Sequence, residues 1–184
     1  MARERKEPRG LVIVNTGDGK GKTTASLGLA VRAAGNGLRV LIIQFIKGRW
    51  KTGESQAIPK LAPNIQLVRM GMGFTIERLR DPRIPMEEHE EAAARAFERA
   101  REVVLADEYD MIVLDEILGS IKAGLVSLDD VLGLIREKPA RLHLVLTGRG
   151  APPELVDAAD LVTEMKLVKH PYQQGIMAQR GIEF

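Results

Sequence analysis

The chain contains no cysteine, which rules out disulfides and thiolate metal sites. Aromatic residues account for only 4% of the 184 positions, leaving few stacking platforms for a nucleic-acid strand. No apolar run approaches the roughly 20 residues that cross a bilayer, and the N-terminus lacks a signal-like apolar region. The expectation is a cytoplasmic protein with neither a membrane nor a nucleic-acid partner. An excess of one charge is also missing. Against 25 acidic residues stand 27 Lys and Arg, a formal charge of +2. The pI near 9.0 therefore reflects a small surplus of bases and implies no polyanion partner. Much of that surplus lies in Arg3, Arg5, Lys6 and Arg9.

What is present is ordinary for a globular protein: 45% apolar and 28% charged residues, in a chain long enough to bury a substantial core. Residues 1–9 read as a basic tail, either frayed or folded over a ligand, and residues 10–184 as a single domain. Short β-rich runs alternate with helical patterns. Strands are expected over 10–15, 39–45, 65–68, 111–116, 142–147 and 161–163. A helix from Thr23 to about Ala34 is expected to bury Leu27, Ala30, Val31 and Ala34. A long helix over 86–106 is expected to bury Ala93, Ala96, Phe97, Ala100 and Val104. A shorter helix stops at Gly124, and the next opens with a capping box at Ser127. The segment 46–64 reads as a loop, with Trp50 either a packed surface aromatic or a ligand contact. His89, among four glutamates, reads as solvated; His143, between leucines, as a hydrogen-bonded core residue.

The organising stretch is Gly17-Asp18-Gly19-Lys20-Gly21-Lys22-Thr23-Thr24. It follows the apolar run Leu11–Val14 and opens a helix, the context a phosphate-binding loop requires. Its glycines let backbone N–H groups wrap an anion, Lys22 adds a mobile cation, and the Thr23 hydroxyl can ligate Mg²⁺. The usual G-x-x-x-x-G-K-[ST] pattern is not met, because Thr16 occupies the first glycine position and Gly17 comes one place late. About ninety residues further on, Met111-Ile112-Val113-Leu114-Asp115-Glu116 reads as a buried strand delivering two carboxylates to its end, as a Walker B strand does. Thr147-Gly148-Arg149 closes another strand with a cation. The fold expected is a three-layer α/β P-loop NTPase type with a mostly parallel sheet. Local chemistry leaves the reaction open. Glu116 could polarise a water for hydrolysis at the γ-phosphate, or Lys20 and Arg149 could stabilise triphosphate as a leaving group.

An ordered set of motifs resembles one family over nearly the whole chain. They are the loop from Thr16 to Thr24, Gln44-Phe45-Ile46-Lys47-Gly48 with Gly53-Glu54, and Gly71-Met72-Gly73-Phe74-Thr75. Val113–Glu116, Thr147–Arg149, Ala159–Met165 and Lys169-His170-Pro171 with Gly181–Phe184 complete the set. The family is the P-loop ATP:corrinoid adenosyltransferases, acting on cob(I)yrinic acid a,c-diamide or cob(I)alamin. The resemblance implies attack of Co(I) on the 5′ carbon of ATP with release of triphosphate, in biosynthesis or salvage of the adenosyl cofactor. It further implies ATP held in reverse, so that the loop grips the γ-phosphate and the ribose carbon stays accessible.

The roles implied are ATP binding by Gly17, Asp18, Gly19, Lys20, Gly21, Lys22, Thr23 and Thr24, with Arg32 and Arg149 as further contacts. Lys22 and Thr23 stabilise the departing triphosphate; Thr23, Asp115 and Glu116 hold Mg²⁺ or Mn²⁺. Phe74 and Ile76 face the corrin, with Ile76 standing where the family pattern often has Trp; Trp50 is a candidate substitute for that aromatic. A reductase or flavoprotein electron donor and a homodimer are expected partners. Two other readings stand beside this one: a hydrolytic ATPase acting on nucleic acid or protein, and a corrinoid-binding module without turnover.

Overall fold

In a computed structural model, residues 9–48, 51–73 and 81–183 are described. Six strands alternate with helices in chain order: β1 (Val12–Thr16), α1 (Lys22–Gly35), β2 (Val40–Gln44), α2 (Gly53–Ala57), β3 (Ile65–Arg69), α3 (Met86–Leu105), β4 (Met111–Asp115), α4 (Ile117–Lys122), α5 (Leu128–Glu137), β5 (His143–Thr147), α6 (Pro153–Ala158) and β6 (Leu161–Glu164). The strands form one sheet in the order β3-β2-β4-β5-β1-β6. Every pairing in it is parallel. Four strands (β1, β2, β4 and, but for its first residue, β5) are buried along their length, as expected of a sheet covered on both sides. The edge strands β3 and β6 are more exposed.

Alternation along the strands splits the core in two. On one face Val12, Val14, Leu41, Ile43, Ile112, Leu114, Leu144 and Leu146 pack against residues of α3, α4, α5 and α6. On the other, Ile13, Val40, Ile42, Val113 and Val145 pack against Ala30 and Ala33 of α1 and against Ile58. These are the three layers expected. The helix after β1 therefore lies on one face, and those after β4 and β5 lie on the other. Neighbouring strands β1 and β5 send their chains to opposite faces, which opens a crevice outside their carboxyl ends, where open α/β sheets bind ligands.

Four local expectations need correction. Val31 is 49% exposed, and α1 instead buries Lys22, Ser26, Ala30 and Ala33; the inward row begins at the loop lysine, which rotates the stripe away from Val31. The segment 46–64 is not all loop, since it holds α2 and a 3₁₀ turn over Ile58–Leu61. Ser127 precedes α5 without a side-chain capping bond. His89 is 3% exposed; it precedes Ala93 by four residues and so joins the apolar row of α3, where helical periodicity outweighs its acidic neighbours. His143 is half-buried and does accept a hydrogen bond, from the Leu11 N–H at 3.1 Å.

Candidate active site: a phosphate loop facing a buried carboxylate

The loop's glycines answer to steric demands that can be named. Gly17 and Gly21 have φ of +99° and +112°, the left-handed region that side chains resist. A Cβ on Gly17 would lie 2.4 Å from the Met165 carbonyl oxygen, and one on Gly19 2.7 Å from the Met165 and Lys166 carbonyls. The chain leaving β6 presses against the loop, and the Gly19 N–H donates to the Met165 carbonyl at 2.7 Å. Glycine is thus needed at 17. Thr16, the last residue of β1, is 8% exposed, and its hydroxyl accepts the Ala151 N–H at 3.2 Å. It ties the loop's base to the turn that carries Arg149.

Lys22 is 7% exposed and folds back over the loop, donating to the carbonyls of Gly17 and Gly19 at 2.7 Å each. Burial pulls its ammonium below the ordinary lysine value, opposed by the charge of Glu116. Those carbonyls hold the cation in place, ready for a stronger acceptor such as a phosphate oxygen.

Facing the loop is Asp115, 1% exposed at the end of β4. Its Oδ1 accepts from the hydroxyls of Thr23 and Thr147, both at 2.8 Å, and its Oδ2 accepts from the Gln44 amide at 3.0 Å. One strand, β5, separates β4 from β1, and Thr147 at the end of that strand fills the gap. Its hydroxyl also accepts the Glu116 N–H at 2.8 Å. A carboxylate has about four acceptor sites. With three taken by protein, Asp115 is better suited to reach a cation through water, while Thr23 keeps lone pairs free for direct ligation.

Glu116 sits just past β4 with φ +64°, which swings its side chain out of the strand direction. Burial first, then the neighbouring Asp115, push its carboxyl above the ordinary glutamate value; Lys22, Lys47 and Arg149 pull the other way. All three cations therefore act on the same sheet edge. Lys47 pairs with Glu54 at 2.5 Å. Burial opposes ionisation of Glu54, and the Lys47 hydrogen bond and charge, together with hydrogen bonds from the Glu54 backbone and Thr52, outweigh it and hold that carboxyl below its ordinary value. Oxygen donors from Thr23, Asp115 and Glu116 suit a hard divalent cation, and the raised Glu116 fits a site where a cation belongs.

Asp18 and Thr24 are exposed beside the loop. Lys20 is paired with Glu183 at 2.5 Å, and Arg149 lies 3.5 Å from Asp18. Arg32 is the outlier. It is exposed in the last turn of α1, ten residues and so about 15 Å along the helix from Lys22, outside the phosphate cluster. Phe74, Ile76 and Trp50, like Arg3, Arg5, Lys6 and Phe184, lie outside the described residues. In the sequence Gln44 and Thr147 stand out only within longer motifs; the signal for both is that they end the strands flanking Asp115. Among the described residues no group of three or more His, Asp or Glu forms a metal cluster.

A parallel sheet in which an interior strand runs into a glycine-rich loop, opposite a carboxylate tied to the loop threonine, has the form of a P-loop nucleotide-binding protein. The fold comparison bears on the architecture alone. The crystal structure of flagellar accessory protein FlaH from Methanocaldococcus jannaschii superposes with a TM-score of 0.57 at 14% identity, covering 85% of this chain and 71% of that one. Sequence goes further. The family described as ATP:corrinoid adenosyltransferase BtuR/CobO/CobP matches residues 8–184, and the chain belongs to it. Corrinoid adenosyltransferase of Pseudomonas aeruginosa is 42% identical over 183 residues, covering 97% of this chain and 86% of its own. Corrinoid adenosyltransferase CobA of Salmonella typhimurium is 38% identical over 179 residues, covering 97% and 87%.

Proposed function

We propose that the protein transfers the 5′-deoxyadenosyl group of ATP to Co(I) of a corrinoid and releases triphosphate. Family membership carries the reaction class and weighs against the hydrolytic alternative. The observation that best supports the site is the Thr23–Asp115 bond, which joins the phosphate loop to the carboxylate strand. As the cobalt–carbon bond forms from the Co(I) electron pair, the bond from C5′ to the triphosphate oxygen breaks and its electrons leave with the triphosphate. No proton moves, so no general base is needed, and Glu116 serves as a cation partner.

The chain's own part is to bind, align and neutralise. Loop N–H groups, Lys22 and Arg149 receive the charge that grows on the triphosphate, and a fixed loop holds the reacting atoms in line. Thr23, Glu116 and Asp115 would hold Mg²⁺ or Mn²⁺, which would supply further charge stabilisation.

We assign the corrin face to Phe74 and Ile76. Support comes from the chain just before them. The Gly73 N–H donates to the Ile46 carbonyl at 2.9 Å, and a Cβ on Gly71 would lie 2.3 Å from the Phe45 carbonyl oxygen. The segment therefore leaves from the same sheet edge as Asp115. Phe74→Ala is expected to slow turnover that starts from Co(II) more than turnover that starts from supplied Co(I). Equal losses would reduce Phe74 to a packing residue.

A homodimer belongs to the same reading. Leu161 in β6 and Val168, Met177 and Ile182 after it are 48%, 92%, 72% and 73% exposed, apolar side chains that a second copy would cover. A cytoplasmic setting and an external reductase or flavoprotein donor complete it, since a chain without cysteine has no thiol to reduce cobalt. Incubation with ATP, Mg²⁺ and reduced corrinoid tests the function. Triphosphate together with an adenosylated corrinoid is expected; ADP and phosphate would overturn it, and no product would leave only a binding module.

A further inference from the structure

Gln44 closes β2 in register with Asp115 on β4 and is completely buried. Its amide is oriented by its neighbour. Asp115 gathers three donors and offers none, so the Gln44 NH₂ must face it. The other half of the amide, Oε1, is buried without a hydrogen-bond partner. A buried amide oxygen left unpaired costs free energy that an apolar residue at the same place would avoid. The strand does not need glutamine there, because the sheet bonds run through the backbone, with the Gln44 carbonyl accepting from Met70 and Gly71. The orphan oxygen is an acceptor that a donor arriving with a ligand would satisfy.

We infer that Gln44 is a positioning residue whose Oε1 accepts from a water of the divalent cation that accompanies ATP. The inference rests on the metal–nucleotide reading above and adds a residue to it. A cation-bound water spends a lone pair on the metal and presents both O–H groups, so it needs two acceptors. Asp115 Oδ2 has one acceptor site left beside the Gln44 N–H, and Oε1 on the same amide supplies the second. One side chain thus fixes the carboxylate with its N–H and shares its water with its oxygen. Glutamate would place a second negative charge against Asp115, and methionine would fill the space with no acceptor at all. Partners of this outer kind typically change metal affinity 10–100-fold when removed.

The test measures ATP affinity without corrinoid, so that no turnover occurs, in Mn²⁺ and in EDTA, for the parent chain and for Gln44→Met. The expected result is an increment from Mn²⁺ in the parent that falls about tenfold in the variant, with affinity in EDTA within about twofold. A merely structural role would lower both affinities alike, and that outcome, or an unchanged increment, overturns the inference. Gln44→Asn, which keeps the amide but draws it back from Asp115, carries the same test if the methionine variant does not melt cooperatively. A parent chain that gains nothing from Mn²⁺ would overturn the metal–nucleotide reading itself, and Gln44's role with it.

Discussion

At the scale of single residues, the sharpest distinction lies between Lys22 and Thr16. Lys22 is buried against two carbonyls rather than a carboxylate, so it can move to phosphate without breaking an ion pair. Lys22→Ala should cut single-turnover alkylation by chemically generated Co(I) by about 100-fold or more, the usual effect of removing one group that stabilises developing charge. A near-parental rate would remove Lys22 from catalysis. Thr16 is different in kind. Written as a departure from a motif, it suggests an altered phosphate grip; in the structure it anchors the Arg149 turn through Ala151. Thr16→Gly restores the usual motif yet should destabilise the fold by about 1–2 kcal/mol, since it strands a partly buried N–H. An unchanged urea midpoint would contradict this. Residue identities in the loop were legible from spacing because phosphate chemistry dictates them. The partners of Asp115 were not, because Gln44 and Thr147 meet it only when three strands are laid side by side.

At the scale of elements, hydrophobic periodicity located nearly every strand and helix, and it failed where a functional group joined a buried face. In α1 the inward row starts with Lys22, a residue that patterning counts as polar, and Val31 was left outside. The C-terminal segment gave little signal, being polar and irregular, but it closes on the phosphate loop at two points. The Gly19 N–H is taken by Met165 and the Lys20 ammonium by Glu183. A triphosphate that engages Lys20 would have to displace Glu183 from it. Their side chains are 46% and 20% exposed, so the pair contributes at most about 1 kcal/mol. Glu183→Gln should therefore tighten ATP binding by about two- to fivefold, with the gain shrinking as salt screens the pair. Weaker binding in the variant would mean that Glu183 assists the nucleotide instead.

At the scale of the whole molecule, the two ends of the sheet carry different work, and pH separates them. The carboxyl end holds Asp115 and Glu116. The opposite end is held by Asp110, whose Oδ2 accepts the Arg39 N–H at 2.8 Å and whose Oδ1 accepts from Arg141 at 2.6 Å. It thereby joins the starts of β2, β4 and β5, the strands that bring Gln44, Asp115 and Thr147 together. The hydrogen bond from the Arg39 backbone outweighs burial and, with the Arg141 guanidinium, holds the Asp110 carboxyl below the ordinary aspartate value of 3.8. An acid with a lowered pKa in the folded state stabilises the fold at pH above its unfolded value. That contribution is lost as pH falls through the folded value. Asp110→Asn should cost about 1 kcal/mol at pH 7, with a cost that is constant down to about pH 4 and declines below it. Denaturant midpoints for parent and variant, measured from pH 7 to pH 3, check both the size and the sign. A difference that grows on acidification would show that Asp110 gains its stability from something other than its ionised form. Because this edge is remote from the phosphate loop, ATP affinity at pH 7 should be nearly the same in the two proteins, so a large loss of affinity would show that the spacing of the strand ends is set from the far side of the sheet.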